Sequence, residues 1–219
     1  MADFLRLVAT GLVLAIMASA EEPTKAIVVV NLHEKDFVSM TGIRMRKRII
    51  PVADYDLKEA FTRELMDRLV ADKRMQYRLA KPEDNIPVLP DAQGHLLSAK
   101  AYKQSVPANL DASLILRVEI DTIGSVSGAG TTFYFLDGSM VMLNRTGKVV
   151  WLAFNYISDW QGNAIPGKFP DWQVGVAGNV DQHQADNQKL MKENINKIIE
   201  KYCASKVGKI LGKDFKGAM

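Results

Sequence analysis

The sequence predicts an α/β fold of the α+β type: a mixed sheet with an N-terminal β-α-β-α unit, an antiparallel β-meander and a long C-terminal helix. Three observations predict it. Residues 24–32 form a β-branched run that is apolar on both faces, which is typical of a central strand covered on both sides. Residues 111–157 hold three strand-like segments, and residues 186–211 repeat apolar positions with helical spacing.

The first helix is predicted from its start signal and its apolar stripe. Asp56 and Glu59 have the spacing of an N-cap and its capping-box partner, which together satisfy free N–H groups at a helix start. Apolar side chains then recur every fourth residue and share one face of a helix over 57–72. They are Leu57, Phe61, Leu65 and Leu69. The polar connection before this helix contains residues 43–50, which we expect to form an edge strand.

The next segments are a strand, a loop and a helix. Residues 74–79 alternate between apolar and polar side chains, which predicts a second strand near a sheet edge. Three prolines make 81–94 a loop. A second helix is expected over 96–106, where Pro107 ends it.

The clearest strand of the sequence covers 111–121, because its side chains alternate strictly. Leucine, valine and isoleucine face one way, while Arg117, Glu119 and Asp121 face the other. We therefore expect one face of this strand to be covered and the other to be at least partly wet. The small residues of 124–130 are expected to form a loop.

Two further strands complete the meander. Residues 131–144 are a long apolar strand in which Asp137-Gly138 is expected to form a bulge. Asn144–Gly147 then makes the turn, with Gly147 free to adopt the positive φ that such turns require. Residues 148–157 return as the last strand.

Residues 158–184 are rich in Gly, Pro, Asp and Asn without a clear period, which predicts a long loop. Trp160, Phe169 and Trp172 indicate that this loop packs on something, and rigid aromatic side chains of this kind dominate protein interfaces. The final helix has a broad apolar face that includes Cys203. Its other face is predicted to hold the lysines Lys189, Lys192, Lys197, Lys201, Lys206 and Lys209.

The first 20 residues have the pattern of a secretory signal peptide: a basic head, a short apolar middle and the small residues Ala18-Ser19-Ala20. We expect cleavage near Ala20, a periplasmic or secreted protein, and one domain over 21–219. Cys203 is the only cysteine, so an intrachain disulfide is excluded. A net charge of +3 is too small for a dedicated nucleic-acid binder.

Chemistry-bearing residues are sparse. His33, His95 and His183 lack metal-ligand spacing, so we interpret them as separate surface or loop residues and expect no metal site or cofactor. Glu119 and Asp121 share a strand face. The favoured interpretation is that they form ion pairs with side chains of a neighbouring strand or with Arg117. A catalytic carboxylate pair is the alternative.

The basic segment Arg44, Arg46, Lys47 and Arg48 leaves two interpretations open. Clustered cations are attracted to anionic lipid headgroups or to a polyanionic wall polymer. The alternative is a solvated loop without a ligand.

Two motifs resemble a family of bacterial envelope proteins. They are Asp111-Ala112-Ser113-Leu114 with Val118, and Thr146-Gly147-Lys148-Val149 with Trp151. Together with the element order they resemble the family that includes the curli-export component CsgG, the penicillin-binding-protein activator LpoB and the N-terminal domain of TolB. The resemblance implies a non-enzymatic domain that docks onto other proteins. The sequence departs from the lipoprotein members because no lipid-accepting cysteine stands at the predicted cleavage site. It departs from the pore-forming members because it has no room for long membrane-spanning hairpins.

Two functions follow as hypotheses. The first is a non-enzymatic periplasmic accessory protein that acts by protein–protein contact in envelope assembly, secretion or cell-wall synthesis, through the meander edge or through Trp160, Phe169 and Trp172. The second is an envelope hydrolase or small-ligand-binding protein that uses Glu119, Asp121 and the 158–184 loop as a lid.

Overall fold

The computed structural model of the chain describes residues 23–41, 46–89, 97–128, 131–155, 174–177 and 188–213, together with Phe215. The strands within them are β1 (Thr24–Leu32), β2 (Phe37–Thr41), β3 (Arg46–Ile50), β4 (Met75–Leu79), β5 (Leu114–Gly128), β6 (Thr131–Asn144), β7 (Val149–Asn155) and β8 (Val174–Ala177). The α-helices are α1 (Leu57–Leu69), α2 (Ala99–Gln104) and α3 (Gln188–Leu211). The α+β class and the long C-terminal helix are confirmed.

All eight strands form one mixed sheet, organised by the long hairpin of β5 and β6. β6 pairs antiparallel with β5 from Leu114, opposite Asn144, to Gly128, opposite Thr131. Because β6 occupies one edge of β5 along its whole length, β1 and β2 must share the other edge. Both run parallel to β5, β1 along its first half and β2 along its second.

The remaining strands lie outside this centre. β4 pairs parallel with β1, and β3 pairs antiparallel with β2. β7 and β8 both pair antiparallel with β6, at different parts of its outer edge. The predicted meander of β5, β6 and β7 is therefore confirmed, as are the edge positions of β3 and β4.

Helices α1 and α3 cover one face of the sheet. The carboxylate of Asp56 caps α1 and accepts a hydrogen bond from the backbone N of Glu59 at 2.9 Å. The predicted stripe of α1 is buried, and the ring of Phe61 lies 6.0 Å from the ring of Tyr202 on α3. Burying a side chain of this size contributes about 1.5–3 kcal/mol, so the stripe anchors α1 to the core.

Residues 97–110, which include α2, cover part of the other face. Tyr102 packs there with Ile115, Val141 and Leu143 of the meander. The predicted turn between β6 and β7 abuts this cover: Gly147 has φ of 75°, and a Cβ added to it would lie 2.4 Å from the Cα of Lys103. The turn therefore needs glycine for its conformation and also for its close approach to α2.

The prediction of a loop at 124–130 is wrong for its first five residues, because β5 continues to Gly128. Glycine is required inside this strand by packing. A Cβ on Gly124 would lie 2.3 Å from the carbonyl oxygen of Val38 on β2 and 2.9 Å from the ring of Phe135 on β6. Small residues here allow two neighbouring strands to approach, which looks like a loop signal in the sequence.

Other differences concern the ends of elements. The connection after β1 contains the strand β2, and the predicted 158–184 loop contains β8. The second helix covers only Ala99–Gln104 and begins at the N-cap Ser98. The bulge expected in β6 at Asp137-Gly138 lies instead on the paired strand β5. Asp121 is the extra residue there, since Ile120 pairs with Gly138 and Thr122 pairs with Asp137.

The lysine face predicted for α3 is wrong at one position. Lys206 is 4% exposed, and its ammonium group lies 5.7 Å from the centre of the Tyr202 ring. Cys203 is buried, as its place in the apolar band predicts. The predicted signal peptide at 1–20 lies outside the described residues, so the predicted division of the chain remains an expectation.

Candidate functional site

A set of polar side chains that contact one another lies on the sheet face that α2 partly covers. It consists of Asn31 and His33, at the end of β1, and of Arg117 and Glu119 on β5. We call these four residues the polar cluster. Asn31 and Glu119 are register partners in the parallel pairing of β1 with β5, so the sheet itself brings them together.

Glu119 is the centre of the polar cluster. The side-chain amide of Asn31 donates to its Oε1 at 3.0 Å, and Nε2 of His33 lies 3.1 Å from its Oε2. The Nη2 atom of Arg117 lies 3.4 Å from Oε1 and also donates to the backbone oxygen of Pro87 at 3.0 Å. Both carboxylate oxygens of Glu119 are therefore engaged by protein groups.

Burial makes this arrangement energetically demanding. The side chains of Arg117 and Glu119 are 1% and 5% exposed. Burial lowers the pKa of Arg117, and the charge of Glu119 opposes that shift. A buried ion pair contributes little net stability, but removing one partner is strongly destabilising, because the remaining charge stays buried without a counter-ion.

Arg117 keeps unused hydrogen-bonding capacity. Its Nε and Nη1 atoms are buried and form no hydrogen bond within the part of the chain that the structure describes. Buried donors are almost always paired, so two unpaired nitrogens on one guanidinium need an explanation. A water molecule or a small acceptor bound beside the polar cluster would satisfy them.

The predicted wet face of the strand at 111–121 is wrong at Arg117 and Glu119. The alternation of side chains is as predicted, but both side chains are buried, and Arg117 donates a hydrogen bond to the backbone oxygen of Pro87. The ion pair also joins residues two apart on the same strand and does not cross between strands. Asp121 is half-buried at the irregular position of β5, where its backbone oxygen accepts a hydrogen bond from Glu34 N at 3.2 Å.

His33 follows the last residue of β1 and is 24% exposed, as expected of a loop residue, but the sequence did not indicate its contact with Glu119. His95 and His183 lie outside the described residues. In the described part of the chain, no group of three or more His, Cys, Asp or Glu side chains is close enough to hold a metal ion. The meeting of His33 with Glu119 depends on strand register, which the sequence pattern does not specify.

A surface cavity of about 810 Å³ lies at the carboxyl end of β1 beside the start of α1. Tyr55, Asp56 and Lys35 are among its lining residues, whereas Glu119 is not. Because Asp56 already caps the helix, the backbone N–H of Glu59 is not available to an anion. This cavity therefore does not extend the polar cluster into a cleft.

The predicted basic segment lies on an edge strand. Arg44 is outside the described residues, and only the backbone of Arg46 is described, at the start of β3. Lys47 and Arg48 are exposed, and Lys47 forms an ion pair with Glu34. Whether this segment binds an anionic surface remains a prediction.

The predicted aromatic contact residues Trp160, Phe169 and Trp172 lie outside the described residues, between β7 and β8. Their role as partner contacts therefore remains a prediction. Among the described helices, none combines the length and the apolar character that a membrane span requires.

No protein-family model and no curated protein matches this sequence. Solved structures with some similarity include the hypothetical protein CT253 from Chlamydia trachomatis, at 11% identity and a TM-score of 0.44, covering 86% of this chain and 97% of that one. Lipoprotein GNA1162 from Neisseria meningitidis is 9% identical, with a TM-score of 0.34 and coverage of 87% and 100%. The PelC dodecamer from Paraburkholderia phytofirmans is 12% identical, with a TM-score of 0.28 and coverage of 81% and 86%.

Proposed function

We propose that this chain is a non-enzymatic, periplasmic accessory protein that acts by protein–protein contact in envelope assembly, secretion or cell-wall synthesis. The signal-peptide pattern at 1–20 supports export. The two sequence motifs and the element order support an envelope role by resemblance. The aromatic residues of the segment between β7 and β8 supply the contact.

One observation carries the non-enzymatic part of the proposal: Glu119 is enclosed. A general base must reach the proton that it removes, and a glycosidase carboxylate needs a second one across an open cleft. Glu119 is 5% exposed and its oxygens are engaged by Asn31, His33 and Arg117. A group held in this way stabilises the sheet and is poorly placed to act on a substrate.

The experiment replaces Trp160 and Trp172 together by Ala and measures partner capture in intact cells of the native host by cross-linking and mass spectrometry. We expect loss of a specific envelope protein from the cross-linked products, with an unchanged circular dichroism spectrum and urea midpoint. Replacing exposed Lys197 by Ala serves as the control, since it removes a surface side chain of α3. Unfolding of the double variant would instead make the two tryptophans core residues.

Export is tested separately. N-terminal sequencing of the protein from the periplasmic fraction should begin at Glu21. Recovery of the uncleaved chain from the cytosol would overturn the envelope assignment, whatever the cross-linking shows.

Small-ligand binding is the second candidate, and the unpaired nitrogens of Arg117 favour it. A small acceptor such as phosphate or a carboxylate would satisfy one of these nitrogens, because a charged acceptor forms a strong hydrogen bond with a guanidinium N–H. Thermal unfolding of the purified protein with added inorganic phosphate or acetate tests this. A rise in the melting temperature that the Arg117→Met variant lacks would support ligand binding, and equal shifts in both proteins would exclude it.

A further inference from the structure

The exposed strand edges of the sheet differ sharply in charge. β3, at one edge, contains the consecutive cations Arg46-Lys47-Arg48, and charged residues of this kind protect an edge from pairing with another strand. β4 contains Arg78, which forms two hydrogen bonds of 2.7 Å with Asp84. β7 has the sequence VVWLAFN, with no charge and no proline. It therefore lacks two of the usual protections against strand addition.

The outer side of β7 is unoccupied by the described chain. Among the described strands, β7 pairs with β6 alone, and alternate residues of a strand direct their N–H and C=O groups away from the paired neighbour. None of the described residues forms a backbone hydrogen bond with that outer side. The one irregularity, at Val150, comes early and leaves a regular run from Trp151 onwards.

The side chains along this edge are apolar and partly accessible. Val149 is 37% exposed, and Val150, Leu152 and Ala153 are only partly buried against the two cores. An accessible strand edge with apolar side chains above and below is a template for another strand.

We propose that β7 pairs antiparallel with β7 of a second copy of this chain, across a twofold axis at Leu152, so that two sheets join into one. A twofold axis places the same strand on both sides and makes the pairing antiparallel. Leu152 is the central residue of β7. With the axis there, Trp151 of each copy lies opposite Ala153 of the other.

This register is self-complementary in size and in charge. A large side chain meets a small one twice, so the paired strands are filled without a clash. β7 has no charged residue, so no like charges meet across the axis. If β3 paired with β3 of a second copy, its cations would face one another. The choice of a second copy over a different partner rests on this self-complementarity, and it does not depend on the proposed function.

The first test is sedimentation of the protein purified after export, up to a concentration of about 100 μM. We expect a dimer that Leu152→Lys and Val149→Lys each weaken by at least about tenfold. Two variants are needed because Leu152 is partly packed against the core, whereas Val149 is exposed. The matched control is Gln76→Lys on β4, an exposed edge position that should leave dimerisation unchanged.

The second test is oxidative cross-linking of single cysteine variants. Leu152→Cys should form a disulfide-linked dimer, because the residue on the axis meets its own copy, and Gln76→Cys should not. The natural thiol Cys203 is buried, and burial raises its pKa, so it stays unreactive. A monomer at every concentration, a dimer unaffected by both lysine variants, or equal cross-linking at Gln76 would overturn the proposal. Partner capture through Trp160 and Trp172 would be unaffected by any of these outcomes.

Discussion

Arg117 and Glu119 form an ion pair along β5, with Nη2 and Oε1 3.4 Å apart and side chains that are 1% and 5% exposed. Arg117 also donates a hydrogen bond to the backbone oxygen of Pro87, so the guanidinium connects β5 to the segment that carries Pro87. Asn31 and His33 complete the shell around Glu119 from the neighbouring strand. The pair therefore links β5, the end of β1 and the cover of the sheet into one polar unit.

Glu119→Gln tests the contribution of this pair. The amide keeps the size of the side chain but leaves the Arg117 charge buried without its counter-ion. We expect the free energy of unfolding to fall by about 3 kcal/mol, measured by urea denaturation at neutral pH. The control is Glu83→Gln, in an ion pair with Lys81 whose carboxylate is 69% exposed, where we expect little change because solvent already screens the pair.

The double variant Arg117→Met, Glu119→Gln separates charge from packing. Removing the guanidinium also removes the uncompensated charge, so the double variant should be more stable than Glu119→Gln alone. A double variant that loses the sum of the two single effects would mean that the residues act independently.

Replacing Gly124 or Gly208 by Ala is expected to change the stability of the protein in opposite directions. Gly124→Ala places a methyl group 2.3 Å from the Val38 carbonyl, so strand β2 must shift, at a cost of about 1–3 kcal/mol. Gly208→Ala, in the last turn of α3, meets nothing within 4 Å and should stabilise the protein by up to about 0.5–1 kcal/mol. Urea midpoints measure both, and a gain in stability for Gly124→Ala would contradict the close strand approach.

These residues show what the sequence can predict about this fold and what it cannot. Local signals were sufficient for the cap at Asp56 and for the turn at Gly147, because each satisfies a requirement of its own few neighbours. Gly124 was misread because the same residue serves loops and close strand contacts. The burial of Arg117 depends on a distant segment, and the contact of His33 with Glu119 depends on register. Neither leaves a local pattern.

Asp84 is expected to control stability in acid. Its side chain accepts two hydrogen bonds from Arg78, and this pairing lowers the pKa of Asp84 from its ordinary 3.8 to about 2. The folded state thus releases the proton more readily than the unfolded state. The resulting stability is complete above about pH 4 and is lost as the pH falls towards about 2. We expect Asp84→Asn to flatten the dependence of the urea midpoint on pH within that window.

Arg78→Gln provides the matching change on the other side of the pair. Without the guanidinium, Asp84 loses the main cause of its lowered pKa, so this variant should show the same flattened profile. Should either variant keep the full slope of the natural protein, another carboxylate would be responsible for the acid sensitivity.

Lys206 is expected to make the protein more stable in mild alkali. Burial, reinforced by the charge of Lys209, lowers its pKa from 10.5 to about 8. Between those values the unfolded state still holds the proton that the folded state has released, so the free energy of unfolding rises with pH. Lys206→Met should remove that rise, because methionine has no proton to release. Urea midpoints between about pH 7 and pH 9.5 measure this before tyrosines ionise in the unfolded chain.

Lys197→Met, at an exposed position of α3, is the control for Lys206→Met and should keep the rise of stability with pH. Parallel profiles for the Lys206→Met variant and the natural protein would show that the Lys206 amine stays charged in the fold, with the Tyr202 ring 5.7 Å away offsetting its burial.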